Sequence, residues 1–258
     1  VSALYVESIG DGPPLVLLHG WALHGGVWRS IAASLARRRR VHIVDLPGHG
    51  YSVPAESFTL ETIVANVAQR LEAQREPPTV VGWSLGALAA MTWALAAPER
   101  IAQLVLVGAT PRFVAAPDWP HAMAAQTLLR FHHELTVAYR ATLLRFLALQ
   151  VHGSEHGRAT LHAMRSELFA RGEPACAVLE AALDVLASTD LRARVAAIRT
   201  RSLLIAGERD ALTPPEAALW LAGALPNARF VRIEGAAHAP FLSHANEFLA
   251  ALDAFLDG

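Results

Sequence analysis

The chain of 258 residues predicts an α/β architecture: a mostly parallel central sheet flanked by helices. Three observations carry that expectation. Short runs rich in Val, Ile and Leu recur along the sequence, and most stop at Gly, Asp or Ser. Helical stretches separate them, as parallel strands require, because each crossover must travel back over the sheet. The rhythm breaks once, from about residue 111 to about 188, where helical periodicity continues without convincing strands.

Taken in order, PLVLLHG (14–20), VHIVDLPG (41–48), TVVGWS (79–84), QLVLVGA (103–109), SLLIAGERD (202–210) and ARFVRIEG (228–235) read as buried strands. The stretches 59–75, 85–97, 215–224 and 246–256 read as helices. The run RRRR (37–40) is expected to end a helix just before a strand, where cations suit the negative helix end and stay solvated. Within 111–188 the helical pattern is broken at HGSEHG and RGEP. The simplest account divides the chain into a core, 1–110 and 189–258, and an inserted all-helical lid, 111–188, covering the strand ends. Ligands of such sheets lie at the carboxyl ends of the strands. His19, Asp45, Ser84, Asp210 and His238 are the polar residues placed there.

Composition removes several function classes. Hydrophobic residues make up 53% and charged residues 17%, which excludes a disordered chain. No apolar run reaches the roughly 18 residues of a membrane span; LGALAAMTWALAA (85–97) is too short and follows a strand. The opening VSALYVESIGDGPP has neither a basic nor an apolar signal region, so no signal peptide is expected. One cysteine, Cys176, cannot form an internal disulfide, which fits a reducing, cytoplasmic setting. Its neighbours in GEPACAVLE offer no basic group to activate it, so it reads as a small apolar filler. The net charge of −1 gives no pull toward nucleic acid. All 22 basic residues are arginine and are spread along the chain, a bias of composition rather than a site. Twelve histidines form no His-Glu-x-x-His pattern, and Gly153 and Gly157 speak against a helix pairing His152 with His156, so no metal is expected. Without lysine no phosphate loop is possible, and no cofactor is expected. The chain is read as a monomer.

The chemistry begins at VVGWSLGALAA (80–90). A serine hydroxyl is a weak nucleophile and needs both exposure and a neighbouring base. Gly-x-Ser-x-Gly between a strand and a helix supplies the exposure, because the sharp turn lifts the hydroxyl out of the sheet. The following helix aims free N–H groups and its positive end at the same point. Such an elbow calls for an acid and a histidine later in the chain, in that order. Asp210 ends one strand and His238, in EGAAHAP, follows the next. Ser84 is therefore the expected nucleophile, His238 its base, and Asp210 the group that orients the base, with Glu208 and Glu234 as rival acids. The N–H of Leu85 is one expected oxyanion donor, and that of Trp21, after LLHG, the other. His19 reads as a structural hydrogen-bonder of that loop. A plain helix-capping role for Ser84 is the bland alternative.

LLHGW, DLPGHGYS, VVGWSLGALAA, GERDALTP and GAAHAPF resemble the α/β-hydrolase superfamily across nearly the whole chain. Three stretches are narrower. GWSLG, RFLALQVHG (145–153) and AAHAPFLSH (236–244) are similar to the carboxylesterase family of biotin synthesis, the BioH type. That resemblance implies hydrolysis of the methyl ester of pimeloyl-acyl carrier protein, with the carrier protein as partner. It also implies a substrate site lined by Trp21, Ser84, Leu85, Phe146, Leu147, Ala148, Leu149, Gln150 and His238. The chain departs from the family at Ala87, where a second glycine is usual, and at Ala245, where proline is common.

An acidic carrier would favour a basic lid. From 128 to 171 there are six arginines (130, 140, 145, 158, 165, 171) against three glutamates (134, 155, 167). Arg158, His162 and Arg165 fall on one helix face, with Leu161, Met164 and Leu168 on an adjacent one. Arg145, Arg158 and Arg165 are the expected carrier contacts, against the alternative of an ordinary solvated face. The fold also hosts lipases, thioesterases and C–C hydrolases, so a generic short-chain carboxylesterase remains the rival reading. A serine at the elbow argues against dehalogenases and epoxide hydrolases, and the complete Ser-Asp-His order argues against a non-catalytic binder.

Overall fold

The computed structural model describes residues 4–258; Val1 to Ala3, the start of the N-terminal stretch and of the expected core, lie outside the described residues. Seven strands form one sheet: β1 (Val6–Ile9), β2 (Pro14–Leu18), β3 (Arg40–Val44), β4 (Thr79–Trp83), β5 (Gln103–Val107), β6 (Ser202–Gly207) and β7 (Ala228–Ile233). Their order is β1-β3-β2-β4-β5-β6-β7. All pairings are parallel except β1 with β3. β2, β4 and β6 are buried along their whole length, which is why they read as continuous apolar runs. β1 escapes a sequence reading because VESI is four residues long, antiparallel and only half-buried.

Three helices accompany the first half of the sheet: α1 (Arg29–Leu35), α2 (Leu60–Arg70) and α3 (Leu85–Ala96). Between β5 and β6 lie α4 (Ala125–Gln150), α5 (Gly157–Leu168) and α6 (Cys176–Ser188). The chain then returns to the sheet with α7 (Pro215–Ala224), α8 (Pro240–Ser243) and α9 (Ala245–Leu256). α3 is buried from Leu85 through Ala94, so its alanines and absence of charge reflect packing on β4 and β5 with α2 behind it. The arginine run corrects its expectation: α1 ends at Leu35, and Arg40 already belongs to β3. Arg38 and Arg39 pair with Asp257 and Arg40 with Asp11, so the run follows the helix instead of capping it, and apart from Arg39 it stays solvated as expected.

The chain enters and leaves the α4–α6 segment at one place. The N–H of Leu191 donates to Pro111 O at 2.9 Å, and Arg112 reaches Asp190 at 3.1 Å. Arg192 bonds Asp190 and Asp118 and holds the Asp190 carboxyl down to about 2. Strand order reverses between β2, which continues to β3 on one side, and β4 on the other. The crevice at such a switch point is where open parallel sheets place ligands.

Candidate active site

Both flanks of that crevice carry expected site residues. β4 ends at Trp83, and Ser84 takes φ 56°, ψ −114°, a conformation that costs a non-glycine residue about 1–3 kcal/mol. The neighbouring glycines are steric necessities. A Cβ on Gly82 would stand 2.3 Å from Gly86 O, and one on Gly86 would stand 2.4 Å from Leu18 O. The Ser84 N–H is held by Val107 O at 3.0 Å, while its side chain makes no capping bond to α3. The hydroxyl is thus not committed to the helix, and the residue is 6% exposed.

Asp210 and His238 meet in the loops after β6 and β7. Asp210 Oδ2 lies 2.7 Å from His238 Nδ1, so Nδ1 carries the proton and Nε2 presents a lone pair. Nε2 is buried without a protein partner. The backbone of His238 is held from two sides: its N–H donates to Gln150 O at 3.0 Å, and its carbonyl accepts from Trp83 Nε1 at 2.8 Å. A Cβ on Gly108 would sit 3.0 Å from the His238 ring. Ser84 and His238 thus both lie against the end of β5, the serine N–H on Val107 O and the imidazole beside Gly108. Of the rival acids, Glu208 accepts from the Gly235 N–H at 3.1 Å and Glu234 is exposed; neither bonds His238.

Leu85 opens α3, so helical geometry leaves its N–H without an intrahelical acceptor. Trp21 sits in the β2–α1 loop, beside Ala22 at φ 66°. Neither N–H donates to a protein acceptor among the described residues. His19 braces the Trp21 loop: Nδ1 donates to Gly20 O at 2.8 Å, and Nε2 accepts from the Leu46 N–H at 2.9 Å. Burial, with His49 nearby, pushes His19 well below its ordinary range.

The helices above the strand ends close over this site. Trp21 Nε1 donates to Leu179 O of α6 at 3.0 Å, and its ring meets Phe146 of α4 edge-on at 4.6 Å between centroids. Phe146, Leu147 and Gln150 are buried, and Ala148 and Leu149 half-buried. Both polar side-chain atoms of Gln150 are buried without partners. A surface cavity of about 790 Å³ lies elsewhere, at the starts of β2 and β3 beside Arg40, Arg70 and Gln74.

The outer surface of α4–α6 differs from the expected basic face at Arg171, Arg145 and Arg140. Arg171 is buried, with a side chain 1% exposed, and binds Asp45 at 2.9 Å and Glu7 at 2.6 Å. It ties the segment after α5 to β1 and to the loop after β3, and contributes nothing to a basic surface. Arg145 pairs with Glu134 at 2.7 Å, and Arg140 with Glu173. Arg158, His162 and Arg165 are exposed on α5, and Met164 and Leu168 pack beneath them. His152 lies in the turn between α4 and α5, and among the described residues no His, Cys, Asp or Glu cluster could hold a metal ion. No helix among them is long and apolar enough to cross a membrane.

Sequence reasoning missed Trp83 and the Gln150 carbonyl as clamps on His238, Arg171 as the clasp, and Thr213, whose hydroxyl lies against both Asp210 and His238. Thr213 carried a usable signal, three residues after the candidate acid. The others bridge residues 88, 155 and 126 positions apart, for which a single sequence has no signal.

Residues 13–245 match the alpha/beta hydrolase fold family. Over 254 residues the chain is 44% identical to the pimeloyl-[acyl-carrier protein] methyl ester esterase of Chromobacterium violaceum, covering 98% of each. It is 43% identical to the protein of the same name from Nitrosomonas europaea, covering 98% of this chain and all of that one. Among solved structures, an esterase from Exiguobacterium antarcticum superposes with a TM-score of 0.92 at 21% identity, over 100% of this chain and 96% of that one. A bromoperoxidase from Bacillus anthracis gives 0.91 at 25%, with the same coverage.

Proposed function

The chain belongs to the α/β-hydrolase family and, within it, to the pimeloyl-[acyl-carrier protein] methyl ester esterases, and on that premise we propose that it is a serine carboxylesterase of biotin synthesis, cleaving the methyl ester of pimeloyl-acyl carrier protein. The observation that carries the chemistry is the buried Asp210–His238 couple beside a strained serine elbow with two unpaired N–H groups.

Ser84 Oγ attacks the ester carbonyl as His238 Nε2 takes its proton, and Asp210 keeps the imidazole in the tautomer that frees Nε2. The resulting oxyanion is received by the N–H groups of Leu85 and Trp21. His238 returns the proton to the leaving methoxide, methanol departs, and an acyl-enzyme remains on Ser84. Water then attacks the acyl carbonyl, giving its proton to the same nitrogen. The second tetrahedral intermediate collapses, releasing the free acid and restoring the serine.

The carrier docks on the lid, at Arg145, Arg158 and Arg165, and the acyl chain runs beneath it along Phe146 and Leu147. Ser84 and His238 are 6% and 1% exposed, and we take a shift of α4–α6 as the way the substrate enters. Docking charges act mainly on association. Arg158→Glu with Arg165→Glu therefore lowers kcat/KM for the carrier-linked ester, with a weaker salt dependence, and spares p-nitrophenyl butyrate. Equal loss on both substrates, or none on either, contradicts the docking assignment. Turnover of p-nitrophenyl butyrate without cleavage of the carrier-linked ester would leave a generic carboxylesterase.

A further inference from the structure

Thr213 does more than follow Asp210 in the loop. Its hydroxyl donates to Asp210 Oδ2 at 2.8 Å and stands 3.2 Å from His238 Nδ1, closing a triangle with the 2.7 Å Asp210–His238 bond. Asp210 Oδ1 meanwhile accepts from the N–H groups of Leu212 and Thr213, both at 2.9 Å. Four donors thus fill the roughly four lone-pair sites of one carboxylate that is 4% exposed. Only one of the four is His238. The other three fix the carboxylate plane before the histidine is counted. Thr213 suits this position because its side chain is β-branched and stiff, and Pro214 after it narrows the conformations open to its backbone.

We propose that Thr213 is a positioning residue of the Asp210–His238 couple: its hydroxyl locks the carboxylate and draws off part of the negative charge that would otherwise hold a proton on the imidazole. This rests on the triad reading above. A hydrogen bond to a carboxylate is among the stronger ones and spreads its charge. Removing it concentrates that charge on Oδ2, which favours protonated His238.

Other titratable groups on the surrounding segments are engaged elsewhere. Glu208 holds the Gly235 N–H, and Arg209 holds Gly153 O and Glu155. His156 and His244 lie against each other at 5.0 Å. The elbow (Trp83–Ser84), the end of β5 (Val107–Gly108) and Gln150 bring no charge to the ring.

The deciding measurement is kcat/KM for p-nitrophenyl butyrate against pH, for the wild type, Thr213→Val and Thr213→Ser. Valine keeps the shape and loses the hydroxyl. Its acid limb is expected about half a pH unit higher, with KM within about two-fold of wild type. Serine keeps the hydroxyl and its limb is expected to follow the wild type. A valine limb that superposes on the wild type overturns the proposal, as does a serine limb displaced as far as valine's. Should valine not fold, Thr213→Ala is read by the same two criteria. A wild type without turnover, or a His238→Ala variant that retains it, overturns the triad reading as well, and so separates the two failures.

Discussion

Ser84 is the residue on which sequence and geometry agree most closely, because the turn that exposes a nucleophile is written in adjacent letters. Glycine stands where any Cβ would strike backbone oxygen, and the serine carries the strain between them. In the proposed triad Asp210 acts on the chemistry through His238, so Asp210→Asn is expected to lower kcat by about 10⁴-fold if the couple behaves like other triads. Steady-state kinetics, with circular dichroism to confirm that the variant is folded, checks this. Trp83→Phe removes the donor to the His238 carbonyl and leaves that buried oxygen unpaired. A loss of about 1–3 kcal/mol in urea stability is expected, with reduced kcat. Ser84, Asp210, His238 and Leu85 were legible as candidates because each sits at a strand end in a fixed order. Trp83 was legible only as the middle letter of the motif, since its partner is 155 residues away.

Burial explains most of what was legible at the level of elements, but not β7: it reads as a buried strand in the sequence and is an edge strand with only Ile233 buried. The parallel strands β2 to β6 announce themselves because both faces are covered, whereas β1 pairs on one side only and keeps Glu7 for Arg171. The kink inside α4 was invisible. It falls at Ala138 (φ −142°, ψ 53°), with neither proline nor glycine there, and Thr142 Oγ1 bridges it to Glu134 O at 3.0 Å. The elbow depends on how closely α3 approaches β2. Gly86→Ala forces the helix off Leu18 O, and about 1–3 kcal/mol of stability is expected to go with it, read by urea denaturation. The Arg171–Asp45 clasp between the segment after α5 and the loop after β3 is a buried charge pair of the costly kind. Arg171→Leu strands Asp45 without its cation, and a loss of about 3–5 kcal/mol is expected in the same assay.

The whole molecule carries a pH signature in its buried histidines. Burial pushes His49 down to about 4, and His19, His24 and His42 are lowered for the same first reason. Below the ordinary histidine range the unfolded chain takes up protons that the folded chain refuses, so stability falls as pH falls. For His49 the window runs from about 6.5 down to about 4. Between pH 7 and pH 5 that one residue accounts for roughly 2 kcal/mol. Urea midpoints should drop across this interval, and His49→Gln should flatten the drop. No such network was visible in the sequence, where His19 and His49 are 30 positions apart and their rings 5.3 Å apart in the fold.

The central claim is that this serine, in this closed site, cleaves a methyl ester presented on a carrier. Mass spectrometry of pimeloyl-acyl carrier protein methyl ester, after incubation with wild type and with Ser84→Ala, tests it most directly. The account predicts loss of one methylene mass with the wild type alone. A carrier ester left intact by a wild type that still turns over p-nitrophenyl butyrate would contradict it.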